Sequence, residues 1–495
     1  MGPRVDSRRV RAANKVEIKD GSGGAVLYWM SRDQRAHDNW ALLKAQDLAL
    51  ERKASLLVCF CLVPKFLDAT LRHFDFMLQG LAETCKDLQS LNIGFVLLKG
   101  QSVTEVPKFV RKLQQMGKKG AVHAVVCDTS PLRVPRSWTA GVAKALQNMK
   151  VPLLQVDAHN VVPIWEASEK QETGARTLRP KITKRLKEFL VDFPPLRRHP
   201  VAPLLGKKGG FDVAAALKSL QVDRTVGPVS KELFTPGAAA GRRRLEEFVR
   251  KRLTIFGKQR NDPTKQALSG LSPWIKFGQI SAQRCALVVK KAAKGASKAG
   301  ADDFLEESIV RRELADNFCW YNQNYDSLKG ASAWAVETLK KHSKDKREYV
   351  YSRSQLEKAQ THDELWNAAQ RQMVSEGKMH GFLRMYWAKK VLEWSKDPAT
   401  ALATAIYLND RYNLDGREPN GYVGCMWSIC GVHDMGWPER KIFGKVRYMN
   451  YEGCKRKFNV KEFENMYPAH EVQNGSKKRK AGASTSNSTK RQKKA

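Results

Sequence analysis

The stretch Gly377-Lys378-Met379-His380-Gly381-Phe382-Leu383-Arg384-Met385-Tyr386-Trp387-Ala388-Lys389-Lys390 organises the reading of this 495-residue chain. Trp387 and Trp394 stand seven residues apart, two turns of an α-helix, so they share one face of one helix. A third indole, Trp366, closes Thr361-His362-Asp363-Glu364-Leu365-Trp366, whose Ser/Thr-x-x-Glu pattern predicts a capping box at a helix start. Downstream lie Tyr407-Leu408-Asn409-Asp410 and Gly424-Cys425-Met426-Trp427-Ser428-Ile429-Cys430-Gly431. Taken singly, Trp and Met at helical spacing read as hydrophobic core.

Outward from this stretch, bulk properties narrow the classes. The length has room for two or three domains, and 42% hydrophobic residues suit a globular chain. No uninterrupted apolar run is long enough to cross a bilayer. The nine cysteines are scattered and form no CxxC pair, which argues for a reduced compartment, and no zinc-ligand spacing occurs. Lys and Arg total 87 against 50 Asp and Glu, a net charge of +37. The tail beyond residue 470 accounts for only seven of those charges, so the rest of the chain is itself basic and suited to a polyanion such as nucleic acid.

Residues 1–24 are polar and basic, lack the apolar core of a secretory signal, and are expected to be disordered. From 25 to 164, short apolar runs at Val26–Met30, Leu56–Val63, Gly94–Leu98, Val122–Cys127 and Val151–Val156 alternate with amphipathic segments. That alternation predicts an α/β domain with a doubly wound parallel sheet, whose ligand would sit at the carboxyl ends of the strands. Residues 165–240, rich in Pro, Gly and Lys, read as a connector with one basic helix at Lys181–Val191. From 241 to 468 helical periodicity prevails and predicts a larger all-α domain. Residues 469–495 form a polar tail in which Lys477-Lys478-Arg479-Lys480 and Lys490-Arg491-Gln492-Lys493-Lys494 have the spacing of a bipartite nuclear import signal.

Together, Gly377–Lys390, Tyr407–Asp410 and Gly424–Gly431 resemble the flavin-binding domain of class II cyclobutane pyrimidine dimer photolyases. So do Tyr28-Trp29-Met30-Ser31-Arg32-Asp33-Gln34-Arg35 and Gln155-Val156-Asp157-Ala158-His159-Asn160 in the first domain. The resemblance implies a light-dependent lyase that binds FAD, active when reduced, and acts as a monomer on double-stranded DNA carrying pyrimidine dimers. It also implies room in the first domain for an antenna chromophore such as an 8-hydroxy-deazaflavin. A cryptochrome-like blue-light receptor is the alternative.

Roles follow residue by residue from the same resemblance. Ser269-Gly270-Leu271-Ser272 matches the segment that grips the flavin pyrophosphate, although Phe256 stands where the superfamily usually has Tyr. Arg384 and Asp415 match neighbours of the isoalloxazine or its ribityl chain, and Asn409 matches the residue beside flavin N5. Trp366, Trp387 and Trp394 match indoles that pass electrons to the flavin. Glu307, with Glu306 as fallback, matches the glutamate that hydrogen-bonds the dimer's carbonyls. Arg260, Asn261, Met426, Trp427, Trp437 and Arg447 match substrate or DNA contacts, with Trp427 as the wall of the dimer pocket. Arg311-Arg312-Glu313 departs from the Trp-Arg-Glu of other classes.

Overall fold

A computed structural model describes residues 4–206 and 210–469. The first domain is built on strands β1 (Val10–Ala12), β2 (Ala25–Met30), β3 (Ser55–Leu62), β4 (Gly94–Lys99), β5 (Val122–Asp128) and β6 (Leu153–Val156). Helices α1 (Trp40–Glu51), α2 (Leu71–Ser90), α3 (Ser102–Gln114) and α4 (Arg133–Asn148) connect them. The sheet order is β1-β6-β5-β2-β3-β4, parallel throughout except for β1, which pairs antiparallel with β6. All five apolar runs are strands, because β2 and β3 are buried along their whole length and so need apolar residues at every position. The order in which strands are added reverses between β2 and β5, which opens a crevice at their carboxyl ends.

The expectation of disorder before residue 25 is corrected for residues 4–24. Residues Ser7–Arg9 form a 3-10 turn, and Val10 to Ala12 pair with Val156 to Leu154. Arg9 is buried, and its guanidinium donates to the carbonyls of Asp157, Asn160, Val161 and Phe189 and to Gln283 Oε1. The edge of β6 and this cage of carbonyls both require partners, and the basic N-terminal segment supplies them.

Between residues 165 and 240 the basic helix runs from Ala175 to Phe189, earlier than expected and with Pro180 inside it. A second short helix spans Val213–Lys218. Beyond it the chain is helical, starting with Ala238–Lys251, and among the described residues no helix is long and apolar enough to cross a membrane. A buried ion pair and side-chain hydrogen bonds bind the domains together. Arg32 makes two bonds to Asp316 (2.8 and 3.0 Å), and Arg72 donates to the carbonyls of Tyr412 and Val374 at two helix ends. The basic clusters of the tail lie outside the described residues.

Candidate functional site

A cavity of about 450 Å³ opens into the helical domain. Four elements form most of its wall: the turn Glu306–Arg311 and the helices Gly381–Trp394, Pro398–Tyr412 and Pro419–Cys430. Each helix is stopped where the cavity needs it. The helix before it, Glu364–Glu376, ends at Gly377 with φ 69°, and Pro419–Cys430 ends at Gly431 with φ 64°, left-handed caps that suit glycine. Asp397 caps Pro398–Tyr412 by accepting from the Thr400 N–H. The expected capping box at Thr361 is shifted: Asp363 is the cap and accepts from the Trp366 N–H, while Thr361 bonds Asn367.

At one side of the cavity Asp415 gathers three groups. Arg384 donates to it at 2.7 Å, Lys378 at 2.8 Å and the Ser272 hydroxyl at 2.6 Å. Burial pushes the Asp415 carboxyl up, but Arg384 and Lys378 outweigh burial and hold it far below the usual carboxylate range. Gly270, at φ 68°, lies against Arg244, which donates to the Ser269 carbonyl at 3.1 Å. Arg244 and Lys378 thus join the predicted Ser269–Ser272 segment, which opens only the short helix Ser272–Lys276. Phe256 is core, packed edge-on to Phe248 and Phe304, and brings no hydroxyl to this segment.

Asn409 lines the cavity with its amide fixed on both sides. Its N–H₂ donates to Asp410 (2.9 Å) and its oxygen accepts from Asn413 (3.0 Å). Gly421 faces it so closely that a Cβ there would lie 2.9 Å from Asn409 Nδ2. The neighbouring Gly424 has open space in front of it. A flat polar ring system fits this cradle: glycines allow close approach, and Arg384 and Asn409 offer fixed donors.

The three indoles form one chain with Trp366 in the middle. Trp387 lines the cavity, stacks on Trp366 with centroids 6.1 Å apart, and donates its N–H to Gln370. Trp366 is fully buried and meets Trp394 edge-on at 5.8 Å. The Tyr386 hydroxyl bonds Asp363 instead of entering this row.

Across the cavity, residues Glu306–Arg311 form a π-helical turn, a geometry that re-aims side chains. It separates the two glutamates. Glu306 is held by both Nε and Nη2 of Arg179 (3.0 and 2.7 Å) and by Arg311, and the Arg179 bonds draw its carboxyl down. Glu307 opens on the cavity, and burial pushes its carboxyl up against the pull of Arg311 and Arg260.

Trp427 forms another part of the wall, with Lys389 Nζ 4.8 Å and the Arg447 guanidinium 5.6 Å from its ring. Lys389 is fully buried, donates to the Ser428 carbonyl at 2.7 Å, and is pushed down to about 7 by burial. Arg447 also lies over exposed Trp437 at 4.1 Å and is anchored by Asp434 (2.8 and 3.0 Å).

Met426 is corrected. It is fully buried in the helical core, on the face of its helix away from the cavity, and Met379 and Met385 supply the thioethers of the wall. Arg260 and Asn261 lie outside the lining; Arg260 is committed to Asp303 (2.6 Å) and Asn261 is exposed at a helix end. Within the cavity lining, the sequence reading also gave no role to Arg311 or His433; the His433 Nε2 has no hydrogen-bond partner among the described residues. Only the Arg311 departure from the family pattern hinted at them.

A second cavity, about 180 Å³, lies at the carboxyl ends of β2, β3 and β5, where Trp29 to Arg32, Phe60 to Val63 and Asp128 meet Lys276 and Arg417 of the helical domain. The Nη2 of Arg417 is buried and has no hydrogen-bond partner among the described residues.

Comparison with known proteins follows the same outline. A family model described as DNA photolyase matches residues 26–200. The chain is 54% identical over 461 residues to the deoxyribodipyrimidine photo-lyase of Potorous tridactylus, covering 93% of this chain and 84% of that one. It is 50% identical over 488 residues to the enzyme of the same name from Arabidopsis thaliana, covering 96% of each. Among solved structures, a class III photolyase from Agrobacterium tumefaciens superposes with a TM-score of 0.67 at 17% identity, covering 91% of this chain and 87% of that one. A Synechocystis cryptochrome gives 0.65 at 15%, with the same coverage. These two share its fold.

Proposed function

This chain belongs to the DNA photolyase family, and from that premise we propose which of its residues carry out each part of the work. It is a deoxyribodipyrimidine photo-lyase, a flavoprotein that repairs pyrimidine dimers in DNA with light. FAD held here in its reduced form would supply the light-driven single-electron chemistry that opens the cyclobutane ring.

The chain's own residues bind, orient and insulate. Arg384 and Lys378, tied together by Asp415, would hold one side of the flavin, Ser269 to Ser272 with Arg244 would meet its phosphates, and Asn409 would offer a fixed amide to the ring. Trp387, Trp366 and Trp394 carry electrons inward to restore the reduced state. The extruded dimer stands between Trp427 and Glu307, whose protonated carboxyl, favoured by burial, donates to a pyrimidine carbonyl. Arg447 and Trp437 support the gap left in the duplex, and the basic surface holds the phosphate backbone. The smaller cavity suits an antenna chromophore with an anionic edge, which Arg417 and Lys276 would meet. The two basic clusters of the tail serve nuclear import.

The observation that carries this reading is that Glu307, Trp427, Trp387 and Asn409, up to 120 residues apart in the chain, open on one cavity. The test uses purified, reduced protein and a duplex holding one thymine dimer, compared under blue light and in darkness. Light-dependent loss of the dimer supports the assignment. Yellow protein without repair points to a receptor, and colourless protein overturns the flavin site.

A further inference from the structure

Arg311 is the one cation of the cavity wall beside Glu307 to which the roles above give no work. It closes the π-helical turn that carries Glu307 and lines the same cavity. Its Nε donates to Glu306 Oε1 at 3.1 Å, and Arg179 holds Glu306 in turn through two bonds. One edge of the guanidinium is therefore anchored. Neither Nη has a hydrogen-bond partner among the described residues, and the side chain is 50% exposed.

A planar fork fixed on one edge and open on the other matches the paired oxygens of a phosphodiester. Charge decides where along the wall that anion goes. The cations nearest the interior, Arg384, Lys389 and Arg447, are already held by Asp415, the Ser428 carbonyl and Asp434, so the open guanidinium at the rim is the better partner. A dinucleotide suits this by its own construction: neutral bases enter between Glu307 and Trp427 while the linking phosphate stays at the rim beside Arg311.

We propose that Arg311 binds the phosphodiester joining the two bases of the substrate dimer, with Glu306 and Arg179 as its positioning residues. This rests on the reading that the dimer enters this cavity, and it adds a contact that reads the extruded backbone instead of the bases.

The experiment measures binding of the flavin-loaded protein to two duplexes across a salt series. Both hold one thymine dimer, and one carries an uncharged methylphosphonate at the phosphate inside the dimer. With the natural phosphate, Arg311→Gln is expected to weaken binding about tenfold. The same change should reduce the slope of log affinity against log salt by about 0.7–0.9. Arg311→Lys is expected to keep the slope. With the methylphosphonate, wild type and Arg311→Gln should bind alike. A full Arg311→Gln effect on the methylphosphonate duplex would overturn the assignment. So would an unchanged slope on the natural one. Equal binding of damaged and undamaged duplex by the wild type would instead refute entry of the dimer. Flavin absorbance of each variant verifies that the cavity is intact.

Discussion

The indole of Trp366 lies 10° from parallel to that of Trp387 with 6.1 Å between centroids, although 21 residues separate them. The stack is pinned by the Trp366 indole Nε1–H, which donates to the Trp387 carbonyl at 3.0 Å. Since Trp366 also meets Trp394 at 5.8 Å, the row runs Trp387, Trp366, Trp394, and the central indole comes from a different helix.

Trp387→Phe and Trp366→Phe should each slow light-driven reduction of the oxidised flavin by more than about tenfold, since electron transfer falls steeply with the added gap. Repair by chemically pre-reduced protein should persist. Absorbance of the flavin under blue light with an added thiol measures the first, and loss of the dimer measures the second. Normal photoreduction in either variant would sink the electron-path assignment.

Glu307→Ala and Glu306→Ala should separate cleanly. The first removes the carboxyl that faces the cavity and should lower repair yield per photon, by about threefold or more, with flavin still bound. The second frees Arg179 and Arg311, and should leave yield per photon near wild type while weakening DNA binding. Equal yields for Glu307→Ala and wild type would remove Glu307 from the chemistry.

Asp415→Asn leaves Arg384 and Lys378 facing each other without their carboxylate. A cost of roughly 3–5 kcal/mol is expected, with loss of flavin on gel filtration. The pH dependence has a definite sign. The folded carboxyl titrates below its unfolded value of about 3.9, so its stabilisation is complete above that pH and fades progressively as pH falls beneath it. Thermal melts below about pH 4 should therefore decline more steeply in wild type than in Asp415→Asn. Parallel declines would contradict this account.

Arg9→Ala empties the carbonyl cage that ties the N-terminal segment to residues 157–189 and to Gln283. Leaving those buried acceptors unpaired should cost roughly 2–5 kcal/mol. Urea denaturation measures it, and faster amide exchange at Val10–Ala12 should accompany it. A variant as stable as wild type would mean that the segment docks by strand pairing alone.

Much of the fold was legible because its signals are local. A strand buried on both faces must be apolar at every position, so β2, β3 and β5 announce themselves, as do helices with an apolar stripe. Strand β1 was not legible. Three residues that follow Arg8 and Arg9 in a basic stretch resemble a disordered segment, and what orders them is the open edge of β6 and carbonyls some 150 residues away. The Thr361 cap misled for a related reason: Thr361 and Asp363 both satisfy cap chemistry, and only packing selects one.

By itself the sequence determined the class of the protein, its two kinds of domain and the residue types at the site, because these rest on composition, period and the words around Trp387, Asn409 and Trp427. Tertiary structure alone decided which neighbour does what. It turned Glu307 into the cavity and locked Glu306 to Arg179, buried Met426 while exposing Trp427 to the cavity, and slid Trp366 between two indoles of another helix. Adjacent residues on a helix differ by about 100° in direction, and that direction acquires meaning only when other elements pack around it.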